Sequence, residues 1–398
     1  MKSPRLSAFV VNYNSGAFAL TCVRSLLADW ASAGFERHDL EVIVVDNASP
    51  VDQEHWLTSI EALGASVLRS GTNAGYATGI EMAYAVSTGG DDDFVALLNP
   101  DIVFLEGAVR TLIEYLHSHP ECGAVAPRTF VDEERTLHLP VVPLPTALND
   151  LRAGLGLFTP ALGRSYASRR SAACRYSWTA AEPLRQDMLS GCCIFLSRRV
   201  VTELSVLLDG RYPLYFEDAD LCRRVTASGR ELVLHPGAEV LHHWSRSAGS
   251  GQEFAGEPTR RHAISRSLYR AEHFNPFGRA ACSAIDKAIG ARAEAVRGRA
   301  LHELESLGDH ADPVQLELPG AGPLWLELAM TPTWPLAAGM RARAGSWSFP
   351  AGAWEWLFEG YYFLRAVDED GDVVGAWTFC KTTPARTEPV DSAWRHSA

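Results

Sequence analysis

Three short stretches bring together residue types that can do chemistry. The first is Asn99-Pro100-Asp101, which follows the five apolar residues Phe94-Val95-Ala96-Leu97-Leu98. A lone carboxylate on a proline-bounded turn suits a hard divalent cation that keeps several waters and shares phosphate oxygens with a substrate. It also suits an ordinary turn, since Asn, Pro and Asp are common turn formers. The second is Glu217-Asp218-Ala219-Asp220, ahead of Arg223 and Arg224. Three carboxylates opening a helix are favoured as anions by the helix dipole, and a general base needs the anionic form. Capping and local pairing with the two arginines is the simpler use. The third is His242-His243, which suits a metal or phosphate role more than a single histidine would, although a structural or solvent-facing place is the simpler use.

These residues need elements to position them. Leu6 to Val11, Leu40 to Val45, Ser66 to Arg69 and Phe94 to Leu98 read as strands, the longer ones buried on both faces. Phe18, Cys22, Leu26 and Trp30 recur at helical spacing, and Leu105 to Leu116 is helical as well. Strands alternating with helices predict a mainly parallel sheet covered on both faces. Each strand ends in a polar tip: Asn12-Tyr13-Asn14, Asp46-Asn47, Asn73-Ala74-Gly75 and Asn99-Pro100-Asp101. Ligands gather beyond the carboxyl ends of such strands, so the four tips are expected on one edge. Asp91-Asp92-Asp93 precedes its strand and reads as a solvated loop on the opposite edge. Gly191, in an apolar stretch, allows a close backbone approach or a bulge. Residues 132–185, with Pro140, Pro143, Pro145 and Pro160, read as a long irregular segment, either an acceptor-binding loop or a surface insertion.

Composition narrows the function classes. The formal charge is −12, which argues against nucleic acid as a partner. Eight cysteines are scattered without a CxxC pair, so neither a zinc site nor a disulfide framework is indicated. No apolar run approaches the length of a membrane span and no signal region is evident. The expectation is a reduced, cytoplasmic protein, with contact at the inner face of a membrane left open.

Taken together, Val10-Val11-Asn12-Tyr13-Asn14, Val44-Val45-Asp46-Asn47-Ala48-Ser49, Asn73-Ala74-Gly75-Tyr76-Ala77, Leu98-Asn99-Pro100-Asp101, Ser190-Gly191-Cys192, Phe216-Glu217-Asp218-Ala219-Asp220 and His242 with Ser247 resemble inverting family 2 glycosyltransferases of the GT-A fold, in their bacterial rhamnosyltransferase-like branch. The resemblance implies a mainly parallel mixed sheet flanked by helices. It implies a nucleotide-diphosphate sugar donor and a glycan or polyprenyl-linked acceptor, in bacterial surface polysaccharide synthesis. Asn12, Tyr13, Asn14 and Asp46 would hold the nucleotide, while Asn73, Gly75, Asn99 and Gly191 would line the nucleotide and sugar side. Asp101 and His242 would hold Mg2+ or Mn2+ at the diphosphate, and Asp218 would be the base, with Glu217 beside it. Asn99 stands where many relatives carry a first Asp. A glycan-binding or scaffolding protein with a degenerate core is the non-enzyme alternative.

The chain divides, on this reading, into a GT-A catalytic domain over 1–257, a helical segment over 258–307 closing the acceptor side, a small antiparallel β domain over 308–385 and a tail over 386–398. The 258–300 stretch holds nine Lys/Arg against three Asp/Glu, which suits either a solvated helix or a face on anionic lipid. Seven of the eleven tryptophans fall beyond residue 313. They suit a carbohydrate-binding or homodimerising module, or simply a small packed core.

Overall fold

The computed structural model describes residues 4–243, 257–296 and 298–389. Ser247 and Trp394 lie outside the described residues. The chain forms two compact units: Met1–Phe130 with Ala180–Tyr269 and Thr387–Ala398, and Val131–Thr179 with Arg270–Arg386.

The first unit is built on β1 (Leu6–Asn12), β2 (Leu40–Asp46), β3 (Ser66–Arg69), β4 (Phe94–Leu98), β5 (Ile102–Phe104), β6 (Cys122–Phe130), β7 (Leu184–Gln186), β8 (Cys193–Ser197) and β9 (Glu231–His242). They form one sheet in the order β3-β2-β1-β4-β8-β6-β9-β5, with β7 paired to β9. Every residue of β1 and β4 is buried, so both faces of the sheet centre must be covered. Helices Gly16–Ser32 and Ala108–Ser118 cover one face, where Leu20, Val23, Leu26 and Trp30 share a core with Val109, Leu112 and Ile113. Helix Tyr76–Val86 packs with β1 and β2. Asp29, buried in the first helix, accepts the N–H groups of Gly107 at 2.6 Å and Val109 at 2.7 Å. It thereby satisfies donors that the start of helix Ala108–Ser118 leaves without an intrahelical partner.

Strand direction positions the tips. β3, β2, β1 and β4 run parallel, so their carboxyl ends share one edge, with Asn12 in register with Asp46. β8 runs antiparallel to β4 and pairs Cys193 with Leu98, which brings the start of β8 to that same edge. β5 runs antiparallel to β9 and pairs Ile102 with His242. The expected mixed sheet flanked by helices is therefore present. β9 continues past Pro236 because a register shift opposite Pro127 and Arg128 absorbs the proline.

The second unit contains β10 (Glu305–His310), β11 (Gln315–Ala329), β12 (Ala338–Ser348), β13 (Gly360–Val367) and β14 (Val373–Lys381), in the order β10-β14-β13-β11-β12. Its pairs are antiparallel except at the β10 edge, which runs parallel to β14. Residues 132–185 are irregular only up to the Thr146 cap and again over 180–183. They hold helices Ala147–Phe158 and Pro160–Thr179. The prolines fall where helices tolerate them: three precede the Thr146 cap, whose Oγ1 accepts from Asn149 N, and Pro160 opens the second helix, where its missing N–H costs nothing. Trp325, Trp334, Trp354, Trp356 and Trp377 are all buried, so these tryptophans fill a core rather than form a stacking surface. Arg365 and Glu327, both buried, pair at 2.6 Å, with Ser171 donating to Glu327 and the guanidinium over the Trp334 ring. That set ties helix Pro160–Thr179 to β11 and β13.

Candidate active site

At the ends of β1 and β2, Asn12 Nδ2 donates to Asp46 Oδ1 at 2.7 Å, and Ser49 Oγ donates to the same oxygen at 2.6 Å. Asn14, exposed and at φ 54°, accepts from Val51 N and donates its own N–H to Ser49 Oγ. Tyr13 between them is half-buried. Asn47 Nδ2 donates to Asn73 Oδ1 at 3.0 Å, and Asn47 Oδ1 accepts from Ala74 N at 3.2 Å. These amides fix the Asn73-Gly75 loop to the end of β2. Gly75 sits at φ 92°, and a Cβ there would stand 2.8 Å from Pro213 O, so a side chain is excluded on both conformational and steric grounds.

Asn99, Asp101 and His242 meet one strand further along. Asn99 N donates to Cys192 O at 2.8 Å, and its amide lies 3.4 Å from His242 Nε2. His242 Nε2 is also 3.4 Å from Asp101 Oδ1. Burial alone would raise Asp101, but the charge and hydrogen bond of His242, with His243 adding to them, pull it below the usual carboxylate range. Burial likewise opposes a charged His242, yet Asp101, helped by Cys192, outweighs it and lifts the imidazole to about 10. Among the described residues, Asp101 Oδ2 is buried without a hydrogen-bond partner. A buried carboxylate oxygen left unpaired is costly, and beside an imidazole it fits a divalent cation completed by phosphate oxygens.

Asp218 sits where β8 begins. Gly191 N donates to its Oδ2 at 3.1 Å and Ala219 N to its Oδ1 at 2.8 Å. The three carboxylates that looked alike in sequence have different environments. Asp220 pairs with Arg224 Nε at 2.7 Å one turn on, Asp218 is held by backbone, and Glu217 keeps Oε2 buried without a partner among the described residues. Burial raises Asp218, and burial followed by the Asp218 charge raises Glu217. The chain enters this helix through Tyr215 at φ 63° and Phe216 at φ 69°, two successive left-handed residues that are neither Gly nor Asn. Such strain persists only where surroundings over-determine it. Helix Glu257–His273 supplies those surroundings: Leu214 N donates to Ser265 Oγ at 3.3 Å, the His262 ring lies 5.4 Å from Phe216, and Tyr269 lies 5.3 Å from Phe216. The same helix reaches the Asn73-Gly75 loop, where Arg261 Nη1 donates to Asn73 Oδ1 at 3.2 Å.

Two residues connect the halves. Desolvation of its hydroxyl, then the charges of Glu217, Asp218 and Asp101 in that order, pushes the Tyr215 phenol up to about 12, so it lies within the field of both carboxylate clusters. The Tyr76 hydroxyl is buried without a partner among the described residues and is raised by burial first and by Glu217 next. Neither tyrosine carries a role in the sequence reading, nor do Arg261, His262 and Ser265. Tyr76 directly follows the Asn73-Ala74-Gly75 tip, which was the only signal that could have marked it. Arg261, His262 and Ser265 sit in a basic stretch whose charge says nothing about which residues turn inward.

Residues 7–171 match the family model described as Glycosyl transferase family 2. Among curated proteins, an N-acetylglucosaminyl-diphospho-decaprenol L-rhamnosyltransferase of Mycobacterium tuberculosis is 30% identical over 200 residues, covering 46% of this chain and 60% of that protein. An uncharacterized protein of Sinorhizobium fredii is 28% identical over 214 residues, 53% of this chain and 22% of that protein. The match thus spans less than two thirds of either relative. Among solved structures, the mannosyltransferase PcManGT from Pyrobaculum calidifontis in complex with GDP-Man and Mn2+ is 16% identical with a TM-score of 0.39, covering 73% of this chain and 76% of that one.

Proposed function

We infer, for a chain whose residues 7–171 belong to glycosyl transferase family 2, an enzyme that moves a sugar from a nucleotide-diphosphate donor to a hydroxyl of a glycan or lipid-linked acceptor. The observation that carries this reading is the seat of Asp218. A carboxylate fixed by the Gly191 and Ala219 N–H groups stands at the sheet edge that also bears Asp101 and Asp46. In the reaction, Asp218 takes the proton of the acceptor hydroxyl. That oxygen forms the new bond to the anomeric carbon as the bond to the diphosphate breaks, so configuration inverts and a nucleoside diphosphate leaves. One displacement needs one base and no carboxylate nucleophile. Asp46 and the amides of Asn12, Asn47 and Asn73 orient the nucleotide, with Tyr13, Asn14 and Gly75 beside them. Asn99 and Gly191 line the sugar side, and Glu217 flanks the base.

Asp101 Oδ2 and His242 are the groups that would hold Mg2+ or Mn2+. The cation, when bound, supplies positive charge to the leaving diphosphate. The relative named above transfers L-rhamnose to a decaprenol-linked acceptor, and we take L-rhamnose and a polyprenyl-linked glycan as the first donor and acceptor to try. Among the described residues no helix is long and apolar enough to cross a membrane. We place the enzyme in the cytoplasm, in contact with the membrane from inside.

The test is nucleoside diphosphate release from a panel of nucleoside diphosphate sugars, with and without Mn2+, in the parent and in Asp218→Asn. One donor of the panel should be turned over by the parent and not by the variant. No release from any donor, with no nucleotide binding by calorimetry, would leave a glycan-binding protein in its place.

A further inference from the structure

The second unit carries a surface that the proposed reaction does not use. Helices Ala147–Phe158 and Pro276–Ala291 pack side by side, with Cys282 Sγ donating to Ala147 O at 3.7 Å. Gly154 and Gly156 are the buried residues of one and Cys282 of the other, and Ile285 and Ile289 turn in against Gly154. Other large apolar side chains point outward. Phe277 is 87% exposed, Leu148 55% and Leu155 41%. Leu148, Arg152 and Leu155 follow the spacing that places residues on one helical face. Gly278 comes so close to Ala147 that a Cβ on it would stand 2.7 Å from the Ala147 Cβ, and Phe277 and Leu148 are the chain neighbours of these two residues. A phenylalanine so exposed next to two exposed leucines marks a surface that something covers.

Charge indicates what covers it. Arg152, Arg279 and Lys287 are exposed on these helices, and Arg292 is exposed at the end of the second. The carboxylates of the same two helices, Asp150 and Asp286, both accept from Arg270, which offsets one of their two charges and leaves the exposed cations in excess. A net positive face therefore sits on a chain whose total charge is −12. Long-range attraction cannot bring so acidic a chain to an anionic surface; a local patch can. Exposed apolar side chains interleaved with cations on helix faces are the pattern of an interfacial surface, where the apolar groups enter the headgroup region and the cations meet lipid phosphates.

We propose that the face formed by Leu148, Arg152, Leu155, Phe277 and Lys287 docks on an anionic lipid bilayer. It would hold the chain where a lipid-linked acceptor resides, but the docking itself does not depend on the transfer reading.

The experiment is co-sedimentation of the full chain with vesicles of phosphatidylcholine alone and of phosphatidylcholine with phosphatidylglycerol, at low and high salt and without any sugar donor. The chain should pellet with the anionic vesicles only, and less in high salt. Phe277→Asp combined with Leu148→Asp should lower the bound fraction about tenfold or more, with an unchanged melting curve. Arg152→Glu with Lys287→Glu replaces exposed charges only and should weaken binding as well, which keeps the test decisive if the first variant fails to fold. Asp218→Asn should pellet like the parent, so an inactive enzyme that still binds vesicles would defeat the transfer reading alone. Absence of pelleting with either vesicle overturns the docking proposal. So does self-association in sedimentation velocity that Phe277→Asp abolishes without any vesicle binding, because a second copy would then be the occupant. Binding to an acidic protein in place of lipid would overturn it too.

Discussion

Gly191 and Asp218 are packed so closely that a Cβ on the glycine would stand 2.9 Å from the Asp218 Cβ and 3.2 Å from its Oδ2, while the Gly191 N–H donates to that oxygen. The seat of Asp218, the proposed base, therefore requires the absence of a side chain at 191. Gly191→Ala is expected to shift the carboxylate by a fraction of an ångström to an ångström. Displacement on that scale lowers kcat by about 10²-fold and leaves the nucleotide affinity near the parent value. Steady-state kinetics with the donor found active above checks it, and an unchanged kcat would contradict the assignment.

Asp101 and Asp218 should separate binding from chemistry. Asp218→Asn keeps both backbone contacts possible but cannot take a proton. It is expected to cost roughly 10²–10⁴-fold in kcat with nucleoside diphosphate affinity retained. Asp101→Ala should instead abolish the Mn2+-dependent part of that affinity in a calorimetric titration. Equal loss of both properties in both variants would mean that the two carboxylates have no separate roles.

The pH dependence follows from burial. Asp218 is raised above the usual aspartate range by burial, and Glu217 by burial and then by the Asp218 charge. The base works ionised, so activity falls as pH drops through its raised value. The acid limb of kcat should therefore lie above the ordinary carboxylate range. Glu217→Gln removes a like charge, so the limb should move to lower pH, and an upward shift would be inconsistent with the pair. Stability carries the opposite dependence. A carboxyl raised in the folded state ionises first in the unfolded chain, so stability is complete below the ordinary glutamate range and declines as pH rises through the raised value. Glu217→Gln should then raise Tm at neutral pH and leave it unchanged in acid.

Asp29 offers a stability test remote from the chemistry. Its carboxylate is the acceptor for the N–H groups of Gly107 and Val109. Asp29→Ala leaves two donors in a buried region without a partner, which should cost about 2–4 kcal/mol. Urea denaturation reads that loss directly. Asp29→Asn retains one acceptor oxygen and should lose less.

The parts of the site that lie at strand ends were legible in the sequence, because an apolar run followed by a polar tip marks both the strand and its outlet. Asn12, Asp46, Asn73, Asn99 and Asp101 were reached that way, and parallel pairing put them on one edge. His242 came from its neighbour His243 and from the family resemblance. The turn at Tyr215 and Phe216 was not legible, since positive φ at two aromatic residues has no compositional mark. Its support from His262, Ser265 and Tyr269 comes from a helix whose sequence shows only basic charge. Helix Pro160–Thr179 was missed because its apolar residues are few and small, so neither helical nor strand periodicity stands out, and the prolines nearby suggested irregular chain. The division of labour among Glu217, Asp218 and Asp220 depends on which backbone groups and arginines stand nearby, which no spacing of three adjacent carboxylates can disclose.

The accessory unit is woven from two separate lengths of chain, and Ser171 and Arg365 with Glu327 stitch them together in its interior. Anyone trimming this protein to a minimal catalyst would naturally cut near residue 270. The shortened product would keep one strand of that weave without the other. Its stranded helices would carry an uncovered greasy flank and a hydroxyl facing nothing, a recipe for aggregates in the expression host. A workable minimal version needs both lengths removed at once, with Phe130 spliced to Ala180.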